Sequence, residues 1–144
     1  MIATHANQAH KILHDPDPLE TKLLSPWKYQ RNHTVLHTDN RILPEQKHAW
    51  AAWNFTRENL SKDDKPVYVT YYMNRLQGLK TTRDYCVTLN RQTPIEAEQI
   101  IAEMNYDHPL YTFDSMQTQK ELPRLNGRNR TYFCGSYFGY GFHE

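Results

Sequence analysis

Val67-Tyr-Val-Thr-Tyr-Tyr-Met73 decides the fold class. β-Branched or aromatic side chains fill most of its positions, and apolar groups stand on both parities. That pattern predicts a strand inside a sheet with both faces covered. Working outward, the polar run at 56–66 (TRENLSKDDKP) reads as a solvated connection, preceded by a strand at 50–55 (WAAWNF). On the other side, residues 74–79 (NRLQGL) turn away from the sheet and residues 85–90 (YCVTLN) form the next strand. Residues 34–38 (TVLHT) make another, and the last strand falls near 131–135, after a turn at Asn126-Gly127.

Helices are expected between these strands. Residues 4–14 have Thr4 as an N-cap, with Ala9, Ile12 and Leu13 on one side. Asp17-Pro-Leu-Glu20 is a capping box with proline at the first helical position, opening a short helix to Leu24 that Ser25-Pro26 ends. Thr93-Pro-Ile-Glu96 repeats that logic and leads into a helix with an apolar stripe at Ala97, Ile100, Ile101 and Met104, closed by His108-Pro109. A shorter helix follows around 115–122. The expectation is α+β: a mostly antiparallel β-sheet covered on one face by two to four helices. Regular βαβ alternation and a GxGxxG opening are both missing, so this chain is not itself a dinucleotide-binding domain.

The 144 residues suffice for one compact unit with a real core. A formal charge of +1, with 23% charged residues and no run of four basic residues, offers nothing for nucleic acid or an anionic membrane surface. A secretory h-region and a membrane-length apolar segment are absent, which points to a soluble, cytoplasmic protein. Cys86 and Cys134 lie in strand-like apolar runs without CxxC spacing and read as buried free thiols in a reducing compartment. Ten Tyr, five Phe and three Trp predict an aromatic core and cleft.

No metal site is expected. His10 and His14 are four apart on a helix, and His33 and His37 four apart in a strand, roughly 13 Å along it and too far to clamp one ion. Cys134 or Ser136 with a histidine would make a hydrolase, but Gly135-Ser-Tyr-Phe-Gly139 is not a nucleophile elbow, and Cys134 reads more simply as a small hydrophobe. Asp63-Asp64 and Glu96/Glu98 look like solvated surface.

Two stretches suggest a site. Tyr71, Tyr72, Asn74, Arg75 and Gln77 put polar donors beside an aromatic wall at a strand end, as at the rim of a substrate cleft. The plainer alternative is that Asn74 caps a turn and Arg75 pairs with a carboxylate. The final Arg130–Glu144 run carries a strand into Gly135, Gly139 and Gly141 interleaved with aromatics, which suits close approach of a flat ligand. Its plainer alternative is a tight turn beside an aromatic core.

Several blocks, in order, resemble one family. They are Ile2-Ala-Thr-His-Ala-Asn-Gln8, Tyr29-Gln-Arg-Asn-His-Thr-Val-Leu-His-Thr-Asp39, Ala49-Trp-Ala-Ala-Trp-Asn54, Val69–Leu79 and Tyr132–Glu144. Together they resemble the C-terminal part of bacterial FAD-dependent oxidoreductases of the amine-oxidase superfamily, the predicted NAD/FAD-binding proteins. The resemblance implies a piece of a longer protein. In it, residues 1–24 would be an edge of the FAD-binding domain, 25–125 an α+β substrate domain, and 126–144 the return into the FAD domain. It implies hydride transfer from a small-molecule or lipid-like substrate to FAD, with Gly135, Ser136, Tyr140, Gly141, His143 and Glu144 near the flavin. Because the G-x-G-x-x-G unit is absent, this chain alone is expected to bind FAD weakly or not at all and to be inactive. A stand-alone ligand- or protein-binding α+β module is the alternative.

Overall fold

The computed structural model describes residues 1–57 and 67–139. In chain order its strands are β1 (Ile2–Ala3), β2 (Lys28–His37), β3 (Trp53–Arg57), β4 (Val67–Tyr72), β5 (Cys86–Leu89), β6 (Ile100–Leu110) and β7 (Phe133–Cys134). The helices are α1 (Ala6–Ile12), α2 (Pro18–Leu24), α3 (Met73–Gln77) and α4 (Phe113–Gln119), with short 3-10 turns between. This is an α+β fold, and none of its helices is long and apolar enough to cross a membrane among the described residues. The chain forms two compact units, Asn32–Tyr106 and Met1–Arg31 with Asp107–Glu144, so residues 25–31 and 107–125 group with the termini.

The larger sheet has the order β3-β4-β5-β2-β6. Its antiparallel register sets Asn54 opposite Thr70, Thr70 opposite Thr88, and Thr88 opposite Val35. The deciding stretch is β4, inside the sheet between β3 and β5. Period-two alternation buries Tyr68 and Thr70 and leaves Val67, Val69 and Tyr71 half-buried on the other face. On the buried side, Val35 packs with Ile42, Ile95 and Ile100, and Cys86 packs with Leu43, Trp50 and Tyr72. The same side carries a polar layer of His37, Asn54, Thr70 and Thr88, all buried. Such groups survive burial only when bonded, and they are. Thr88 Oγ1 sits 2.8 Å from His37 Nε2 and 2.9 Å from Thr70 Oγ1, and Asn54 Nδ2 donates to the Thr70 carbonyl at 3.3 Å.

Residues 97–104 depart from the expected helix. One 3-10 turn spans Ala97–Gln99, and Ile100 begins β6. Ile100, Ala102 and Met104 are half-buried while Ile101, Glu103 and Asn105 are exposed, so the period is two. Adjacent isoleucines satisfy both periods on paper. Their branched Cβ atoms, and the partners Val35, Ile42 and Ile95 waiting for Ile100, favour the strand. Pro109, expected to stop a helix, lies within β6, an edge strand, the place in a sheet where proline is tolerated.

In the unit built from the termini, Ala6, Ala9, Leu23, Leu24, Trp27, Leu122, Leu125, Phe133 and Tyr137 form one core, every member at most 2% exposed. Burying each large member contributes about 2–3 kcal/mol. Trp27 Nε1 donates to Thr118 Oγ1 at 3.1 Å, which satisfies the one polar atom of the indole. α2 begins as its residues dictate: Asp17 Oδ1 accepts from the Leu19 and Glu20 amides at 2.8 and 2.9 Å, and Glu20 Oε2 accepts from the Asp17 amide at 2.8 Å. α1 is shorter than expected. His5, not Thr4, is its N-cap, and it ends at Ile12, which leaves His14 outside the helix. β1 and β7 pair in parallel, Ile2 with Phe133 and Ala3 with Cys134. Phe133 takes the buried side of this two-residue pairing, so Cys134 is exposed; of the two thiols only Cys86 is buried.

Candidate functional site

The strand β4 hands directly into α3, and that junction builds a recess. Tyr72 is the last residue of β4, Met73 the first of α3, and the single helical turn presents Asn74 and Arg75 beside Tyr72. Gly78, at φ 63°, ends the helix in a left-handed conformation that a side chain would resist. Lys47 and Trp50, from the segment before β3, complete an open recess of about 480 Å³ lined by Lys47, Trp50, Tyr72, Asn74 and Arg75.

The aromatic wall is fixed on several sides. Trp50 and Tyr72 meet edge to face, with centroids 5.1 Å apart. Trp50 Nε1 donates to the Pro44 carbonyl at 2.7 Å, and Lys47 Nζ stands 5.3 Å from the Trp50 ring centroid. Tyr72 Oη donates to Asp84 Oδ1 at 2.7 Å, while Asn40 Nδ2 donates to Asp84 Oδ2 at 2.8 Å. Burial, followed by Asp84, pushes the Tyr72 phenol up to about 12. Burial would also raise the Asp84 carboxyl, yet the bonds from Asn40 and Tyr72 and the charge of Lys47 hold it below its ordinary value. Burial pushes the neighbouring Cys86 thiol up to about 12 as well, helped by the charges of Asp84 and Asp39. At neutral pH the recess therefore presents a protonated phenol, backed by an occupied carboxylate at Asp84 and a neutral thiol at Cys86.

Three of the five residues expected at the cleft rim, Tyr72, Asn74 and Arg75, come together here. Tyr71 is on the opposite face of β4, paired with Trp53 and Val87, and Gln77 is exposed at the end of α3. Asn74 is spent on structure: its Nδ2 donates to the Arg83 carbonyl at 2.7 Å and its Oδ1 accepts from the Tyr85 amide at 2.8 Å. Arg75 makes no carboxylate pair among the described residues; its Nη1 donates to the Trp50 carbonyl. Lys47 and Trp50 had no local signal as site residues. They reach the recess only because antiparallel pairing returns β4 alongside β3.

Of the residues expected near a flavin, Tyr140, Gly141, His143 and Glu144 lie outside the described residues. Gly135, at φ 154°, is a position where only glycine fits: a Cβ would lie 2.8 Å from the Tyr137 ring and 3.0 Å from the Thr4 carbonyl oxygen. Packing within the protein thus already requires this glycine. Ser136 opens a 3-10 turn, and its carbonyl accepts from Tyr111 Oη at 3.4 Å. Because β1 and β7 are parallel, residues 4–7 and 135–137 share the carboxyl edge of the pair, the side at which parallel sheets bind nucleotides. Asn7 Oδ1, a buried atom on a half-buried residue at that edge, has no hydrogen-bond partner among the described residues, whereas the His5 side chain caps α1 and stacks on Tyr29 with centroids 4.4 Å apart. Neither Cys134 nor the Ser136 hydroxyl bonds a histidine among the described residues. No three His, Cys, Asp or Glu side chains gather as metal ligands among the described residues. No protein-family model matches the chain, and neither does any curated protein.

Proposed function

We propose that the chain is the substrate-binding part of an FAD-dependent oxidoreductase of the amine-oxidase type, cytoplasmic and bacterial, acting on a small-molecule or lipid-like substrate. The observation that carries this reading is the recess, where Tyr72, Asn74 and Arg75 meet Trp50 and Lys47 at the end of β4. The parallel β1–β7 pair, with Asn7 Oδ1 unbonded among the described residues at its carboxyl edge, supports a place for the cofactor. Bound FAD supplies a hydride acceptor at its N5. The residues of this chain hold the substrate: the aromatic pair takes its flat or apolar part, and the Arg75 fork, anchored on Trp50, fixes its polar end. No protein base is needed in the recess for that chemistry, which agrees with a Tyr72 phenol and an Asp84 carboxylate bonded to each other.

The completeness of the recess within one unit favours a second reading, a stand-alone ligand-binding module. Purifying the product of the entire reading frame that contains this chain separates the two. The flavoprotein reading expects a yellow protein with bound FAD, and an Arg75→Ala variant that keeps its flavin while binding substrate more weakly. The isolated chain should form no sub-micromolar FAD complex. A full-frame product without flavin would refute the proposal and leave the module.

A further inference from the structure

The recess has a sign. Lys47 and Arg75 both carry positive charge at its wall, and neither has an ion-pair partner among the described residues. Asp84 contributes one negative charge, already bonded to Tyr72 and Asn40. The local sum is one unmatched positive charge beside two aromatic rings. We propose that the recess takes the carboxylate end of a ligand whose adjoining body is flat or apolar, the carboxylate between Lys47 and Arg75 and the body on Trp50 and Tyr72. This rests on the reading of the recess as the substrate site.

Three observations select a carboxylate monoanion. Arg75 has five donors and uses Nη1 to fix its fork on the Trp50 carbonyl, which leaves further N–H groups for bidentate recognition of a planar anion. A single surplus positive charge matches one negative charge better than the nearly two of a phosphate monoester. A cationic amine is disfavoured, because the Lys47 and Arg75 charges at the wall both repel it. The volume of about 480 Å³ lies within the usual range for a small-molecule site. The acid end would therefore be the anchor, with the reacting carbon of the ligand held outside the recess.

The test uses the whole chain and its three tryptophan indole N–H signals in ¹⁵N NMR, with Trp50 assigned through Trp50→Phe. The probes are phenylacetate, phenethylamine and phenyl phosphate. Phenylacetate should shift the Trp50 signal, and added salt should weaken its binding. Lys47→Gln should cost about threefold in affinity, and Arg75→Gln about tenfold or more. Arg75→Lys should recover only part of that loss, because it restores charge without the fork. Phenethylamine binding at Trp50 as well as phenylacetate, or phenyl phosphate binding about tenfold tighter, would overturn the carboxylate assignment and leave the recess as a ligand site. If no probe moves Trp50, the substrate-site reading falls too.

Discussion

Acidification should destabilise the Asn32–Tyr106 unit through one side chain, His37. Its ring is fully buried. Nδ1 accepts from the Asp39 amide at 3.1 Å, so the single ring proton sits on Nε2 and is donated to Thr88 Oγ1 at 2.8 Å. A second proton, on Nδ1, would point at an N–H that is itself a donor. Burial holds the imidazole down to about 4; the Asp39 carboxylate pulls the other way, and the Arg91 charge reinforces burial. In the unfolded chain a histidine titrates near ~6.5. Between those values the unfolded state binds more protons than the folded one, so stability rises with pH across that window. The contribution is whole above about pH 6.5, declines as pH falls, and is gone below about 4. At ~1.4 kcal/mol per pH unit, the gap sets a ceiling of about 3 kcal/mol. Urea unfolding followed by circular dichroism, at about pH 7.5 and about pH 4.5, reads it out. Wild type should lose about 2.5 kcal/mol more than His37→Gln between the two conditions, since the carboxylates other than Asp39 titrate alike in both. Equal losses in the two proteins would show that His37 is not the group that senses the acid.

Two further outcomes follow from the same structure. The Tyr137 hydroxyl is buried in the apolar core around Trp27 and has no hydrogen-bond partner among the described residues, and burial pushes its phenol well up. Tyr137→Phe should therefore stabilise the chain by about 1 kcal/mol, an unmet donor costing about 1–3 kcal/mol and the small void left behind much less; a thermal midpoint that falls would mean the hydroxyl is bonded. Thiol labelling of the native chain should modify Cys134 quickly and Cys86 only on unfolding, because Cys134 is exposed and Cys86 is buried with its pKa at about 12. Two equally fast thiols would contradict the packing of Cys86 against Trp50 and Leu43.

Legibility tracked how local the deciding physics is. Asp17-Pro-Leu-Glu20 contains its own capping bonds, so α2 could be read from four residues. β4 was readable because branched and aromatic side chains leave the backbone little choice. Residues 97–104 were not: Ile100 and Ile101 serve a helix or a strand equally, and the choice was made by Val35, Ile42 and Ile95. The layer of His37, Asn54, Thr70 and Thr88 was hidden for the same reason, since each reads as an ordinary polar residue until the register stacks them. At the recess, the donors at the end of β4 were visible. That Tyr71 faces away while Tyr72 faces in follows from the pleat, and could have been read from strand parity once the buried face was known.

What the recess leaves uncommitted matters more than what it contains. Asn74 ties Arg83 to Tyr85, Asp84 joins Tyr72 to Asn40, and Trp50 Nε1 holds Pro44; all of these polar atoms are already satisfied. A ligand would have to break such bonds to use them, at about 1–3 kcal/mol each. Lys47 and the remaining N–H groups of Arg75 carry no such cost, so selectivity would come from charge and from the two ring faces. A site of this kind would discriminate by sign and flatness, and its phenol is already bonded to the Asp84 carboxylate. It is therefore suited to a protein in which the bond-breaking step belongs to a cofactor held elsewhere, or to one with no such step at all. Flavin content in the full-frame product decides between those cases, because the recess would bind the same ligand in either.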